Sequence, residues 1–243
     1  MLFFFKTKPI EITAFVPSNY AFAYKHTPIR PARETFPKWW KNIESSSFDW
    51  DLFKRKTTVK SCSGIINILT TGFIMPLWSD LALEWDKDNW KYMYSDGQSH
   101  LGIHDNNQMP EFYEDHLILK ISSPWFIKSP VSLLFNHPFY LHQTPFPFTT
   151  PYGIESASIN KHNSSLNSTN VLLFAKKTLE TKREIIKVNT PLLHIIPLTD
   201  KPVNIKCEVV SIEEYNKQIS ASLGITSFAS KGIRQKSLLN NLK

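Results

Sequence analysis

The chain has 243 residues, 42% hydrophobic and 20% charged, with 13% aromatic residues and a formal net charge of +7. That length and apolar content can build one large all-β domain or two small ones, while so modest a charge permits an anionic partner without demanding one. Cys62 and Cys207 lie far apart with no C-x-x-C spacing, which excludes a zinc ribbon or disulfide framework and points to two reduced thiols.

Glycine is scarce at seven residues and proline reaches sixteen, so rigid X-Pro turns between short extended segments are expected, favouring β over α. The opening "MLFFFKTKPIEITAFVP" reads as two short strands around Pro9. Its apolar run, Leu2 to Phe5, is too short for the h-region of a signal peptide. Pro37 followed by Trp39, Trp40 and Ile43 predicts a short helix near residues 38 to 44. Ile65, Ile66, Ile68 and Leu69 predict another over 63 to 70. Leu77, Ser79, Leu81, Leu83 and Trp85 hold alternate positions, as a half-buried strand requires. "WKYMYS" is a further strand, followed by a turn at Asp96-Gly97 and a polar loop.

From residue 116 the chain alternates short apolar runs with turn residues: "LILKI", "WFIK", "VSLLF", "PFYL", "VLLFA", "EIIKV" and "LLHIIPL". Pro124, Pro130 and Pro138 are expected at strand ends or edges, and residues 160 to 170 form a polar loop. This spacing predicts a mainly β fold, a distorted β-sandwich or barrel with a few short helices. The β domain is expected over 1–205, with a basic helical or extended C-terminal tail over 206–243. Ser211 and Glu214 have capping-box spacing for a helix start. From Tyr215 onward the tail carries basic but no acidic residues.

Catalytic motifs are missing: the sequence contains no G-x-S-x-G elbow, P-loop or G-x-G-x-x-G turn. No cofactor is implied, and whether the chain is an enzyme is left open. The expected function is that of a non-enzymatic binding protein that engages another protein or self-associates, nucleic acid being the weaker partner. Trp39, Trp40, Lys231, Arg234 and Lys236 are its candidate binding residues. The alternative is a small-ligand- or metal-binding enzyme with a pocket around residues 100–116, where His100, His104 and His116 would be the ligands. Cys62 is a candidate nucleophile with the same alternative in view, whereas His137 and His194 sit in apolar strands as structural residues. "FPKWWKN" and "WDLFKRKTTVK" interleave aromatic and basic residues, half of which are expected in the core. No stretch of about 18 apolar residues occurs, so no membrane partner is expected.

The blocks "IRPARETFPKWWKN", "TVKSCSGIINILTTGFIMPLWSD", "QSHLGIHDNNQ", "LKISSPWFIKSP", "FPFTTPYGIES" and "NTPLLHIIPL", in that order over most of residues 28 to 200, resemble an uncharacterised family of proteins from tailed phages, especially those of marine bacteria. The resemblance implies a phage-encoded accessory or virion-associated protein, located in the host cytoplasm or the virion and not secreted through a signal peptide. It brings no activity with it. The order "SPWFIKSP", strand, "FPFTTPYGIES", strand, "NTPLLHIIPL" also resembles, distantly, the trimeric deoxyuridine-triphosphatase and deoxycytidine-triphosphate-deaminase β-fold. The match concerns the fold alone. Glu155-Ser156 stand in place of the nucleoside-contacting Asp, Asn189-Thr190 replace a glycine turn, His194 replaces a glutamine, and the phosphate loop is missing.

Overall fold

The computed structural model describes residues 8–104, 110–138, 153–155 and 166–218. The fold is mainly β, with several sheets, one of them curled into a half-barrel, and a few short helices. In the first sheet β1 (Ile10–Pro17) lies between a parallel β15 (Val203–Val210) and an antiparallel β9 (His116–Lys128). β9 carries β12 (Leu166–Lys176) along its other edge and β8 (Leu101–Ile103) beyond the end of β1. The second sheet has the order β11 (Gly153–Glu155), β10 (Leu133–Asn136), β14 (Pro191–Pro197), β5 (Phe73–Pro76) and β2 (Arg30–Pro31). The third comprises β13 (Lys182–Ile186), β6 (Leu81–Trp85) and β7 (Trp90–Tyr94). A two-stranded hairpin, β3 (Ser46–Asp49) and β4 (Lys54–Thr57), pairs with nothing else. Helices α1 (Ala21–His26), α2 (Lys38–Asn42), α3 (Ser63–Thr70) and α4 (Pro110–Tyr113) are short.

Side chains alternate across the pleat, and on the first sheet both sides are apolar. Leu117, Leu119, Ile121, Trp125 and Ile127 of β9, with Val171, Leu173 and Ala175 of β12, enter one large core. Phe73 and Met75 of β5, Leu193 and Ile195 of β14, and Leu81, Leu83 and Trp85 of β6 fill it from the other sheets. On the outer face Ile118, Leu172 and Phe174 form a second cluster with Tyr113 of α4. A third lies behind β5, where Ile74 meets Leu69 of α3, Ala32 and, from the α2 segment, Phe36 and Trp40. The alternation holds over β6, where Leu81, Leu83 and Trp85 are buried and Ala82 and Glu84 are not; before it Leu77, Trp78 and Ser79 are all buried, so the alternate pattern does not extend back to Leu77.

Two features depart from the expectations. Pro124 marks no strand end; "LILKI" and "WFIK" are one thirteen-residue strand that runs through it. On one edge β8 pairs residues 119–121 and β1 pairs residues 126–128, so Pro124 lies in the gap between partner strands. On the other edge the register with β12 shifts between Ser168 and Asn170. A missing N–H costs nothing where the ladder is already interrupted. The local polar groups are served by side chains: Thr169 Oγ1 donates to Trp125 O at 2.9 Å, and Ser123 Oγ accepts the Trp125 N–H at 3.0 Å. The second departure is β15. It runs through residue 205, where domain and tail were expected to meet, and pairs with β1 from Ile10↔Val203 to Pro17↔Val210. The expected strand "PFYL" beyond residue 138, most of the polar loop over 160–170 and the strand before Pro9 lie outside the described residues; residues 166–170 begin β12.

After β15 the chain is helical over residues 212–218. Ser211 Oγ accepts the Glu214 N–H at 3.1 Å, the capping contact that the spacing predicts. This helix lays Tyr215 edge-on to Phe126, ring centroids 5.0 Å apart, and to Phe15 at 6.3 Å. Phe15 and Phe126 themselves stack at 6.0 Å. Burial pushes the Tyr215 hydroxyl up to about 12. The start of the tail therefore packs on the outer face of the first sheet.

Of the four described residues with a left-handed backbone, Gly72, Gly97, Phe53 and Asn189, two lie in turns beside β14. Gly72 has φ +74°, and a Cβ there would lie 2.2 Å from Ile195 O. Asn189 has φ +67° and takes the conformation that glycine would otherwise supply, its N–H donating to Leu77 O at 2.8 Å. Gly72→Ala is expected to destabilise the protein by about 2 kcal/mol or more, since strain and a backbone clash add. Urea unfolding of the variant checks this; an unchanged midpoint would show that the turn relaxes freely.

The buried histidines lie in the second sheet and just after it. His194, on β14, donates Nε2–H to Thr71 O at 2.7 Å, and burial lowers its pKa. His137 follows β10 and is 2% exposed; burial brings its pKa down to about 4. The unfolded chain takes up a proton near pH 6.5 while the folded chain holds His137 neutral, so its contribution to stability is complete above pH 6.5 and is lost as pH falls toward 4. The loss is on the order of 1–3 kcal/mol. The melting temperature of His137→Gln should fall less steeply than that of the parent between pH 6.5 and 4; parallel slopes would remove His137 from the acid response.

Candidate functional site

The hairpin of β3 and β4 is built against the general trend of the molecule. None of its eight strand residues is buried, and Lys54, Arg55, Lys56 and Thr57 are all exposed. Isolated two-stranded hairpins are marginal in water, so its stability must come from its turn and its base. At the turn Asp49 Oδ1 accepts the N–H groups of Asp51 and Leu52, both at 3.1 Å, and its carboxylate pairs with Lys56. The Lys56 ammonium, then the Leu52 and Asp51 N–H groups, hold the Asp49 pKa below its usual value. At the base Thr58 N–H donates to Ser45 O at 3.3 Å and Thr58 Oγ1 donates to Glu44 O at 2.6 Å, continuing the ribbon one residue past its strands.

The tip carries the largest exposed apolar groups of the described chain short of Leu179. Trp50 is 76% exposed, Phe53 79%, Leu52 58% and Phe48 42%. Phe48, Trp50 and Phe53 meet edge-to-face in all three pairs, with centroids 4.7, 5.7 and 6.2 Å apart. Each ring is covered by the others and by no part of the protein body that would bury it. Phe53 has φ +49°, a conformation that costs a residue with a Cβ about 1–2 kcal/mol.

The residues expected to bind lie elsewhere. Trp40 is half-buried, stacks on Phe36 at 6.3 Å and belongs to the small core behind β5; Trp39 meets Trp40 edge-on at 5.7 Å. Lys231, Arg234 and Lys236 lie outside the described residues. Trp50 and Phe53 are missing from the expected set although "WDLFKRK" carries the signal: Asp49 and Asp51 flank Trp50, a pattern of turn residues around an aromatic ring that favours an exposed tip over a core strand.

The histidines expected as metal ligands are distributed around β8 and β9. His100 precedes β8 and is exposed, the His104 N–H donates to Ile118 O at 2.8 Å, and the ring of His116 meets Phe174 edge-on at 6.2 Å. Among the described residues no three His, Cys, Asp or Glu side chains come together in a way that could hold a metal ion. Cys207 is half-buried, its Sγ donating to Ile29 O at 3.6 Å, and burial pushes its pKa up to about 11, against the needs of a nucleophile. Cys62 is exposed and unpaired as a thiol, without a hydrogen bond to a histidine among the described residues. None of the helices in the described residues is long and apolar enough to cross a membrane.

No protein-family model, curated protein or solved structure matches the chain.

The two tryptophans give opposite expectations. Trp40→Ala should lower stability by about 2 kcal/mol, less than a fully buried Trp because the ring is partly exposed, whereas Trp50→Ala should stay within about 0.5 kcal/mol. Chemical denaturation of both variants distinguishes them; a larger loss at Trp50 would make the hairpin tip a part of the fold's stability.

Proposed function

We propose that the protein is a phage-encoded, non-enzymatic binding protein, an accessory or virion-associated component, and that the tip of the β3–β4 hairpin is where it engages another protein. The phage origin rests on the sequence resemblance. The binding reading rests on one observation: Trp50, Leu52 and Phe53 stand in water at the end of a ribbon that the fold does not otherwise use. Exposed Trp at the centre of a compact aromatic group is the residue type that dominates protein interfaces, and an apolar group of this kind marks an interaction site.

The chemistry of the tip favours a protein over the other partners. Asp49 and Asp51 bracket Trp50, and carboxylates in that place oppose both immersion in hydrocarbon and approach to a phosphate backbone. The edge-to-face trio also leaves no row of open ring faces on which successive bases would stack. A pocket with apolar walls and a few carboxylates suits the tip, since Lys54, Arg55 and Lys56 follow directly behind it.

A photo-crosslinking amino acid in place of Trp50 tests the proposal in phage-infected cells. A discrete protein adduct is expected from position 50, and none from Met93 on the exposed face of β7. A Trp50→Ala, Phe53→Ala double variant should bind the captured partner at least tenfold more weakly while remaining folded. Adducts with nucleic acid or lipid alone, or full affinity in the double variant, would overturn it.

A further inference from the structure

The hairpin is not the only part of the surface with unused chemistry. A cleft of about 690 Å³ opens between β2, the turn from α3 into β5, and the connection from β14 to β15. Its size falls in the range of small-molecule pockets, about 300–1,000 Å³. Arg33 enters from the turn after β2 and Lys201 from the β14–β15 connection, and no carboxylate lines the cleft. Five of the described lysines and arginines form salt bridges, Lys56, Lys91, Arg183, Lys187 and Lys206, and the majority do not. Among the described residues Arg33 and Lys201 form none. Their sequence neighbours Glu34 and Asp200 stand outside the lining.

Thr71, Thr199 and Asn204 add groups that can donate hydrogen bonds to the lining of the cleft. Thr199 Oγ1 accepts the Lys201 N–H at 3.2 Å, which leaves its own hydroxyl proton free. The Asn204 amide and the Thr71 hydroxyl have no hydrogen-bond partner among the described residues. Thr70 is different, since its hydroxyl already donates to Ile66 O at 2.8 Å. Two cations, three groups able to donate and no acid in the lining form a set that accepts negative charge. Ile29, Phe73 and Ile205 supply apolar wall beside it. Gly72 keeps the turn against β14, where any side chain would collide with Ile195 O.

We infer that this cleft binds a small molecule carrying a phosphate or similar dianionic group on a less polar body. The guanidinium of Arg33 takes two anionic oxygens in its planar fork, Lys201 supplies a point charge from the β14–β15 connection, and the Thr199 and Asn204 donors fix orientation. The site is separate from the hairpin and does not depend on what the hairpin binds.

Calorimetric titration of the full chain with inorganic pyrophosphate, at ionic strength held constant with sodium chloride, tests the anion subsite. One saturable site is expected. Arg33→Gln and Lys201→Gln should each weaken it at least tenfold, and Lys182→Gln, an exposed cation on β13, should leave it unchanged; circular dichroism of each variant confirms that the fold persists. Absence of saturable binding, retention of affinity in the Arg33→Gln, Lys201→Gln double variant, or equal weakening by Lys182→Gln would overturn the assignment. Tighter binding of a single-stranded oligonucleotide through the same two residues would move the site from a small molecule to a polymer and overturn it as well.

Discussion

Burial on both sides of β9 is the constraint on which the remaining architecture depends. Leu117, Leu119, Ile121, Trp125 and Ile127 face the large core, while Ile118 and Phe126 face outward, and an outward apolar face must be covered. Tyr113 of α4 covers one part and Tyr215 of the helix over 212–218 covers another. Lys177 strengthens the first cover, reaching Tyr113 O at 2.6 Å with its ammonium 4.9 Å from the ring centroid. The second sheet repeats the device: Ile74 of β5 points away from the large core, and α3 with the Trp40 segment closes over it. Short helices are thus lids on strands with two apolar faces, which explains why they are short.

The same logic separates structural from exposed aromatic residues. Trp125 is fully buried, yet its indole N–H has no hydrogen-bond partner among the described residues, and a buried polar group left so costs about 1–3 kcal/mol. The apolar contacts of the ring in the centre of the core outweigh that cost. At the hairpin tip the balance runs the other way, because Trp50 and Phe53 gain only each other and Phe48. Their exposure has no stabilising return from the body of the protein, and for that reason it reads as a binding surface.

Much of the β architecture was legible in the sequence because period and composition are local. The alternation from Leu81 to Trp85, the helix over 63–70 and the cap at Ser211 follow from neighbours in the chain. Pro124 misleads because its fit depends on where two partner strands hand over, a fact of the sheet and not of the segment. β15 was readable: Val203, Ile205, Cys207 and Val209 alternate with Asn204, Lys206 and Glu208, and the boundary at 205 cuts across that pattern. Candidate sites were harder to find. "FPKWWKN" and "WDLFKRK" have nearly the same composition, but only the second stands clear of a sheet, and Arg33 and Lys201 meet only through the folding of distant segments.

The parallel pairing of β1 with β15 also sets an order of assembly. Ile10 leaves the ribosome 193 residues (203 − 10) ahead of its partner Val203. Until then one edge of β1 offers a row of unpaired N–H and C=O groups next to apolar side chains, the arrangement most prone to pair with another nascent chain. Closing so long a loop is slow compared with local hairpins. β15 therefore seals a strand made long before it, and a chain interrupted before Val210 would be left with an open, adhesive edge beside β1.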